Sequence, residues 1–259
     1  MANLVIENGT TPLRGRLVLN DDAQTLAVEA AAWIAQRAAE AIATRSSFSI
    51  ALSGGSTPKL LYSCLAASPY LEGIAWDRWK IFFGDERACQ PDDPKSNFRM
   101  ATESLLGKVP IPARNIFRMR GEAPDLGHAA AEYAAILEDE LPHVGSTPPR
   151  LDLVLLGLGE NGHTASLFPG TDALLVTDRW VAVGLADYEP HQRLTLTLPA
   201  INAARDVAFL VAGPEKANAI ANVAAGSVPA SRVEPETGRL TWFLDTAAAS
   251  GLPELSSAE

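Results

Sequence analysis

Apolar residues recur at helical spacing from Asp21 to Ala43, where Leu26, Ala30, Trp33, Ile34, Ala38, Ala41 and Ile42 share one broad face and predict an amphipathic helix. Phe48 to Leu52 is then a short apolar run between Ser47 and Ser53, the pattern of a strand buried on both faces. Ser53-Gly54-Gly55-Ser56-Thr57-Pro58 leads on into Lys59-Leu60-Leu61-Tyr62. With Thr57 as N-cap and Pro58 as first helical residue, the stretch reads as strand, glycine loop, helix.

The alternation continues along the chain. Lys80 to Phe83 is a short strand ending in the loop Gly84-Asp85-Glu86-Arg87, and Ser96 caps a predicted helix from Asn97 to Leu106. Gly127 to Leu141 is Ala-rich and helical, and Gly145-Ser146-Thr147-Pro148-Pro149 breaks the chain in a surface turn. Leu151 to Leu156 is a third apolar strand, running into Gly157-Leu158-Gly159-Glu160-Asn161-Gly162-His163. Leu194 to Leu198 alternates with period two, Val207 to Val211 is apolar, and Pro214 starts a helix through Ile220. Ser256 to Glu259 reads as a frayed tail. Strands alternating with helices predict an α/β fold, a doubly wound and mostly parallel sheet with helices on both faces, as one domain over residues 1–259. Ligands of such sheets bind beyond the carboxyl ends of the strands, where three polar loops follow predicted strands here.

Composition narrows the function. The 259 residues are 47% hydrophobic, enough for a core that needs neither disulfides nor a structural metal. The net charge of −10 disfavours a protein whose task is neutralising nucleic-acid phosphates. No apolar run reaches the roughly 18 residues that cross a membrane, and the start of the chain lacks the charged and apolar regions of a secretory leader. Cys64 and Cys89 form no CxxC pair, which fits a reduced cytoplasm.

Gly54-Gly55 lets the backbone approach a ligand, and Ser56 and Thr57 add hydroxyls at a helix start, a combination that suits phosphate as well as a plain tight turn. The GxxxxGK[ST] spacing is absent. Gly157, Gly159 and Gly162 match GxGxxG, but Pro169 and Gly170 close the segment before a dinucleotide-binding helix has room to run. Of four histidines, His128, His143 and His191 lie outside these loops, whereas His163 stands at the mouth of the expected cleft. An imidazole of ordinary pKa near ~6.5 can take a proton from water and return it. Asp85, Glu86 and Arg87 form either a solvated turn or a group in which Arg87 stabilises a developing anion and Asp85 orients a base or hydroxyl. Arg193 opens an alternating strand. Lys216, in the first turn of a helix, opposes the helix dipole and is better explained if it answers a bound anion.

At these residues the sequence resembles the 6-phosphogluconolactonase family. The matching stretches are Leu52 to Pro58, Phe83 to Arg87, Ser96 to Met100, Gly157 to Pro169, His191 to Thr197 and Gly213 to Lys216, in the family's order across most of the chain. The resemblance implies a Rossmann-like fold shared with glucosamine-6-phosphate isomerases and hydrolysis of 6-phosphogluconolactone in the pentose phosphate pathway. It implies no metal or organic cofactor, and a sugar phosphate as the partner of a monomer or small homo-oligomer. Carried over by position, it makes His163 the general base and Gly54, Gly55, Ser56, Thr57, Arg193 and Lys216 the phosphate contacts. Arg87 would face the lactone, supported by Asp85 and Asn97. One position departs: Asn161 stands where the family often has Asp, and asparagine can hydrogen-bond but carries no charge. A sugar-phosphate isomerase or deaminase and a non-catalytic sugar-phosphate sensor are the alternative readings.

Overall fold

The computed structural model describes residues 4–6 and 11–252. The expected tail, Ser256 to Glu259, lies outside the described residues. The first half of the chain forms β1 (Leu4–Ile6), β2 (Arg16–Asn20), α1 (Ala23–Arg45), β3 (Phe48–Leu52), α2 (Ser56–Leu65), α3 (Tyr70–Gly73), β4 (Trp79–Phe83), β5 (Asp85–Arg87), α4 (Asn97–Ala101) and α5 (Leu126–Glu140). The second half adds β6 (Leu153–Leu156), β7 (Val181–Leu185), β8 (Gln192–Leu196), α6 (Leu198–Asn202), β9 (Asp206–Val211), α7 (Ala217–Ala224), β10 (Arg239–Asp245) and α8 (Thr246–Ala249).

Seven strands make one sheet in the order β1-β2-β10-β9-β6-β3-β4, parallel throughout except for β1. This is the doubly wound, mostly parallel sheet that the alternation predicts. The chain runs from β3 outward to β4, then crosses to β6 on the other side of β3 and proceeds to β9 and β10. The order therefore reverses between β3 and β6, so the loops leaving these two neighbouring strands open onto a crevice. Those are the loops that carry Gly54-Gly55 and His163.

Three stretches fold differently from the sequence reading. The turn Gly84 to Arg87 is not a loop beyond β4: Asp85–Arg87 is itself a strand, paired antiparallel with β8, which pairs with β7 to complete a separate three-stranded sheet. Gly84 is the joint between the sheets. Its N–H donates to Leu52 O at 2.9 Å, a rung with β3, while its carbonyl accepts from Leu196 N at 2.8 Å in β8. The alternating run at Leu194 accordingly belongs to this small antiparallel sheet, as period-two patterning favours. At the glycine loop, α2 starts at Ser56 with Gly55 as its cap, and no side chain caps it; Pro58 is the third helical residue and Thr57 the second. Pro214–Lys216 is a single tight turn ahead of α7, so Lys216 ends that turn instead of sitting inside a longer helix.

Local chemistry explains the boundaries. α1 begins at Ala23 because the Asp22 carboxylate accepts from Thr25 N at 2.7 Å while Thr25 Oγ1 accepts from Asp22 N at 3.1 Å, a reciprocal cap. Its small buried residues Ala27, Ala30, Ala31, Ala38 and Ala41 let it lie close to the sheet. α5 is tied to the sheet through Tyr133, whose hydroxyl accepts from Phe83 N at 2.9 Å and donates to Phe117 O at 3.0 Å. Among the described residues no helix is long and apolar enough to cross a membrane.

Tyr133 yields a stability test. In Tyr133→Phe the buried Phe83 amide and the Phe117 carbonyl both lose their partner, which costs about 1–3 kcal/mol. Thermal unfolding followed by circular dichroism is expected to show Tm lowered by several degrees. An unchanged Tm would refute the role assigned to this hydroxyl.

Candidate active site

The cleft is built from three segments: the loop after β3, the loop after β6, and one face of the small sheet. In the first, Tyr62 fixes the entry, its buried hydroxyl accepting from Ser53 N at 2.9 Å and donating to Ser53 O at 2.8 Å. The chain then turns at Gly55, whose φ of +108° lies in the region that favours glycine. Gly54 is required for a different reason. A Cβ there would lie 2.0 Å from Asn97 Oδ1, so Asn97 packs directly beneath the loop. Gly55 and Ser56 are exposed at the start of the ten-residue helix α2, whose first amides have no side-chain cap to satisfy them. Such a start favours an anion.

In the second loop the residues from Gly159 to His163 form a closed turn. Gly162 N donates to Gly159 O and Gly159 N to His163 O, both at 2.9 Å. A Cβ on Gly159 would lie 2.0 Å from His163 Nδ1, which is how closely the imidazole folds back over the loop. Its other face stacks on Phe168, with ring centroids 4.1 Å apart and planes 24° from parallel. Asn161 Oδ1 accepts from His163 N at 3.2 Å and lies 2.6 Å from His163 Nδ1. Since the backbone amide identifies that atom as an acceptor, Nδ1 carries the proton and Nε2 keeps its lone pair. Burial, with help from Lys216 and Arg193 and against the pull of Asp85, lowers the His163 pKa to about 4. The ring is therefore neutral at neutral pH, with Nε2 ready to accept a proton.

The small sheet supplies the charges. Antiparallel register sets Asp85 opposite Thr195 and Arg87 opposite Arg193, so all four side chains share one face. Asp85 is buried; its Oδ2 accepts from Ser166 Oγ at 2.7 Å and its Oδ1 from Asn97 Nδ2 at 3.1 Å. Ser166 N also donates to Thr195 Oγ1 at 3.1 Å, pinning the histidine loop to this face. Arg193 is only 2% exposed, yet its Nε and Nη2 have no hydrogen-bond partner. Tyr188 lies over its guanidinium at 5.1 Å. Burial first, and then Arg87, pushes the Arg193 pKa down. Arg87 is half-buried, donates through Nη1 to Lys95 O, and leaves its Nε unpaired. Half-buried Lys216 makes no ion pair among the described residues, and its charge is felt at His163.

The structure thus brings His163, Asp85, Asn97, Arg87, Arg193 and Lys216 together with the glycine loop. Asn97 is committed to Asp85 and Gly54, which makes it a support under the loop. Sequence reasoning gave Glu86 no role of its own within its acidic turn and assigned none to Ser166, Phe168 or Tyr188. Glu86 points away from the cleft and accepts from the amides of Arg87, Asn97 and Phe98 at 2.8 Å each and from Ser96 Oγ at 3.0 Å. It anchors α4; burial raises its pKa and those amide bonds oppose the rise. Ser166 and Phe168 sit in the same loop as His163; Phe168 stacks on that histidine, whereas the partners of Ser166, Asp85 and Thr195, are distant in sequence. The remaining histidines stay outside, with His128 near Glu132 at 3.3 Å and His191 near Glu189 at 3.3 Å. His143 Nδ1 lies 3.3 Å from Leu141 O. Among the described residues no group of three or more His, Cys, Asp or Glu could hold a metal ion.

The Asn161 contact makes a prediction. In an NMR titration of the His163 ring, the midpoint is expected near about 4, and Asn161→Asp should raise it by at least about one unit, because a carboxylate stabilises the imidazolium. A midpoint near ~6.5 in the unaltered protein would contradict the half-buried, neutral imidazole.

Residues 21–242 match the family model described as glucosamine-6-phosphate isomerases/6-phosphogluconolactonase. The 6-phosphogluconolactonase of a Nostoc species is 44% identical over 217 residues, covering 82% of this chain and 88% of that protein. The Synechocystis 6-phosphogluconolactonase is 43% identical over 88% of this chain and 95% of its own length. The structure of 6-phosphogluconolactonase from Trypanosoma brucei superposes with a TM-score of 0.82 at 30% identity, covering 92% of this chain and 98% of that one. A monomeric glucosamine-6-phosphate deaminase shares the fold, with a TM-score of 0.77 at 21% identity. The chain belongs to the glucosamine-6-phosphate isomerase/6-phosphogluconolactonase family.

Proposed function

We propose that the protein hydrolyses 6-phosphogluconolactone to 6-phosphogluconate, the activity that places it in the pentose phosphate pathway. The observation that carries the reading is the His163 imidazole, held neutral with Nε2 unprotonated beside Arg87 and Arg193, whose guanidinium groups keep N–H donors without partners. The names of the relatives at 43–44% identity support the same substrate. Cys64 and Cys89 are both free, in keeping with a cytoplasmic enzyme.

The phosphate group meets the Gly54, Gly55, Ser56 and Thr57 segment at the start of α2, with Arg193 and Lys216 as cationic partners. His163 Nε2 removes a proton from water, and the resulting hydroxide attacks the C1 carbonyl. The carbonyl π electrons move to oxygen, giving a tetrahedral oxyanion that Arg87 stabilises. As the intermediate collapses, the bond from C1 to the ring oxygen breaks and His163 returns its proton to that oxygen. The new carboxylic acid ionises, so each turnover releases one proton. Asp85, held by Ser166 and Asn97, favours the imidazolium formed midway, since its charge acts to raise the His163 pKa.

Proton release from freshly prepared 6-phosphogluconolactone, corrected for spontaneous hydrolysis, tests the reading. His163→Ala is expected to lower kcat by roughly 10² to 10⁴ while phosphate-ligand binding persists; turnover near the parent's would rule His163 out as the base. Arg193→Ala and Lys216→Ala should act mainly on KM, and unchanged KM in both would remove the phosphate from this pocket. Ammonia or ketose production from glucosamine 6-phosphate, in place of acid release from the lactone, would favour the deaminase reading.

A further inference from the structure

At the opposite end of the sheet, where the strands begin, arginines gather around too few carboxylates. Asp152 immediately precedes β6, Arg205 and Asp206 stand at the start of β9, Arg239 opens β10 and Arg45 ends α1. With Arg37, Glu40, Arg150 and Thr237 they line a recess of about 390 Å³. Its lining carries five arginines and three acidic residues. This recess shares no residue with the cleft around His163. The length of β6 and its flanking residues, at about 3.3 Å per residue, keeps the two roughly 15 Å or more apart.

Two of the three carboxylates are already committed. Arg239 grips Asp206 in a two-pronged fork, both contacts at 2.8 Å, and Arg37 holds Glu40 at 3.0 Å. Asp152 is left for three guanidinium groups. Its Oδ2 is taken by Ser49, whose N and Oγ donate at 2.9 and 3.0 Å. Its Oδ1 accepts from Arg45 Nε at 3.0 Å and lies 3.3 Å from Arg205 Nε. Among the described residues Arg150 makes no ion pair with a carboxylate: its Nη2 donates to Thr237 Oγ1 at 2.9 Å. The Nε–H groups of Arg150 and Arg205 are both shielded from water without a hydrogen bond. Burial, followed by repulsion from Arg150 and Arg45, pushes the Arg205 pKa down.

Excess cations crowded in a part-buried recess of a protein with net charge −10 are unfavourable unless an anion completes them. Guanidinium forks match the oxygen spacing of phosphate better than that of a point-like anion. We propose that this recess is a second anion site, which takes the dianionic phosphate group of a small phosphorylated molecule through Arg150 and Arg205, with Thr237 beside them. The volume admits a ligand of metabolite size. The site is independent of the lactonase reading, since none of its residues takes part in that chemistry.

Titration with inorganic phosphate and with glycerol phosphate, followed through the arginine Nε–H signals in NMR, tests the proposal. The parent protein and the Arg193→Ala, Arg150→Ala and Arg205→Ala variants are compared. In Arg193→Ala, where the candidate active site is weakened, the Arg150 and Arg205 signals should still move saturably. Arg150→Ala should weaken that response at Arg205 by about tenfold or more, the loss of one charge-assisted contact, while proton release from the lactone stays within about twofold of the parent. Arg150 is the decisive variant because, among the described residues, it holds no carboxylate whose loss would disturb the fold. The site is refuted if Arg193→Ala shows no saturable shift at Arg150 or Arg205 up to about 20 mM phosphate, a range that reaches millimolar Kd values, or if Arg150→Ala responds like the parent.

Discussion

One buried carboxylate holds the cleft together. Asp85 is the first residue of β5, and its two oxygens reach in opposite directions, to Ser166 at 2.7 Å and to Asn97 at 3.1 Å. Ser166 carries the histidine loop, and Asn97 fills the space beneath Gly54. The small sheet, the glycine loop and the histidine loop are thereby fixed by a single side chain. Each partner is buried, so losing the Asp85 carboxylate would strand the Ser166 hydroxyl and leave Asn97 with only its bond to the Asp85 carbonyl. The same anchoring accounts for Ala165, a non-glycine residue at φ +47°: Ser166 next to it is held at both its amide and its hydroxyl, which stabilises a backbone angle that alanine alone disfavours.

Around this anchor the electrostatics are arranged for a charge the protein does not itself supply. Arg87 and Arg193 face each other across β5 and β8, a pairing that costs stability when both are positive. Arg193 and Lys216 also help to hold the His163 pKa down. A phosphate dianion held by Arg193 and Lys216 would offset part of the repulsion and, by the same Coulomb argument, make His163 a better proton acceptor. Substrate binding and base strength are thus coupled in sign. The donors stand in position before any charge develops, which is the form of electrostatic stabilisation that needs no reorganisation during reaction.

The parallel core was legible because its strands, buried on both faces, are short apolar runs such as Phe48 to Leu52, which the structure reproduces residue for residue. His163, Arg87, Asp85 and the glycine loop stood out because each follows such a strand. What escaped notice depends on contacts distant in sequence. β5 is three polar residues, Asp85–Arg87, that become a strand only because β8 lies alongside, so no local pattern marks it. β10 contains the run Leu240 to Leu244, apolar but for Thr241, a pattern that does not distinguish strand from buried helix. The helix start at Ser56 was misjudged because Thr57-Pro58 is a strong local signal. The tertiary fold overrides it, leaving the first amides of α2 without a side-chain cap.

The net charge of −10 sets a limit on which anions these clusters can hold. Repulsion from the acidic surface acts over about 10 Å at 0.1 M salt, whereas the guanidinium contacts act only within hydrogen-bond distance. A compact phosphate ester places its whole charge inside a basic pocket and is repelled only on the way in. A polyanion such as nucleic acid leaves most of its charge outside, against the acidic surround, and gains nothing there to offset the repulsion. With anions bound as proposed, acidity over the whole protein and basicity in its recesses would act together as a filter for small anions. The selectivity comes from where the arginines are buried, not from how many the chain contains.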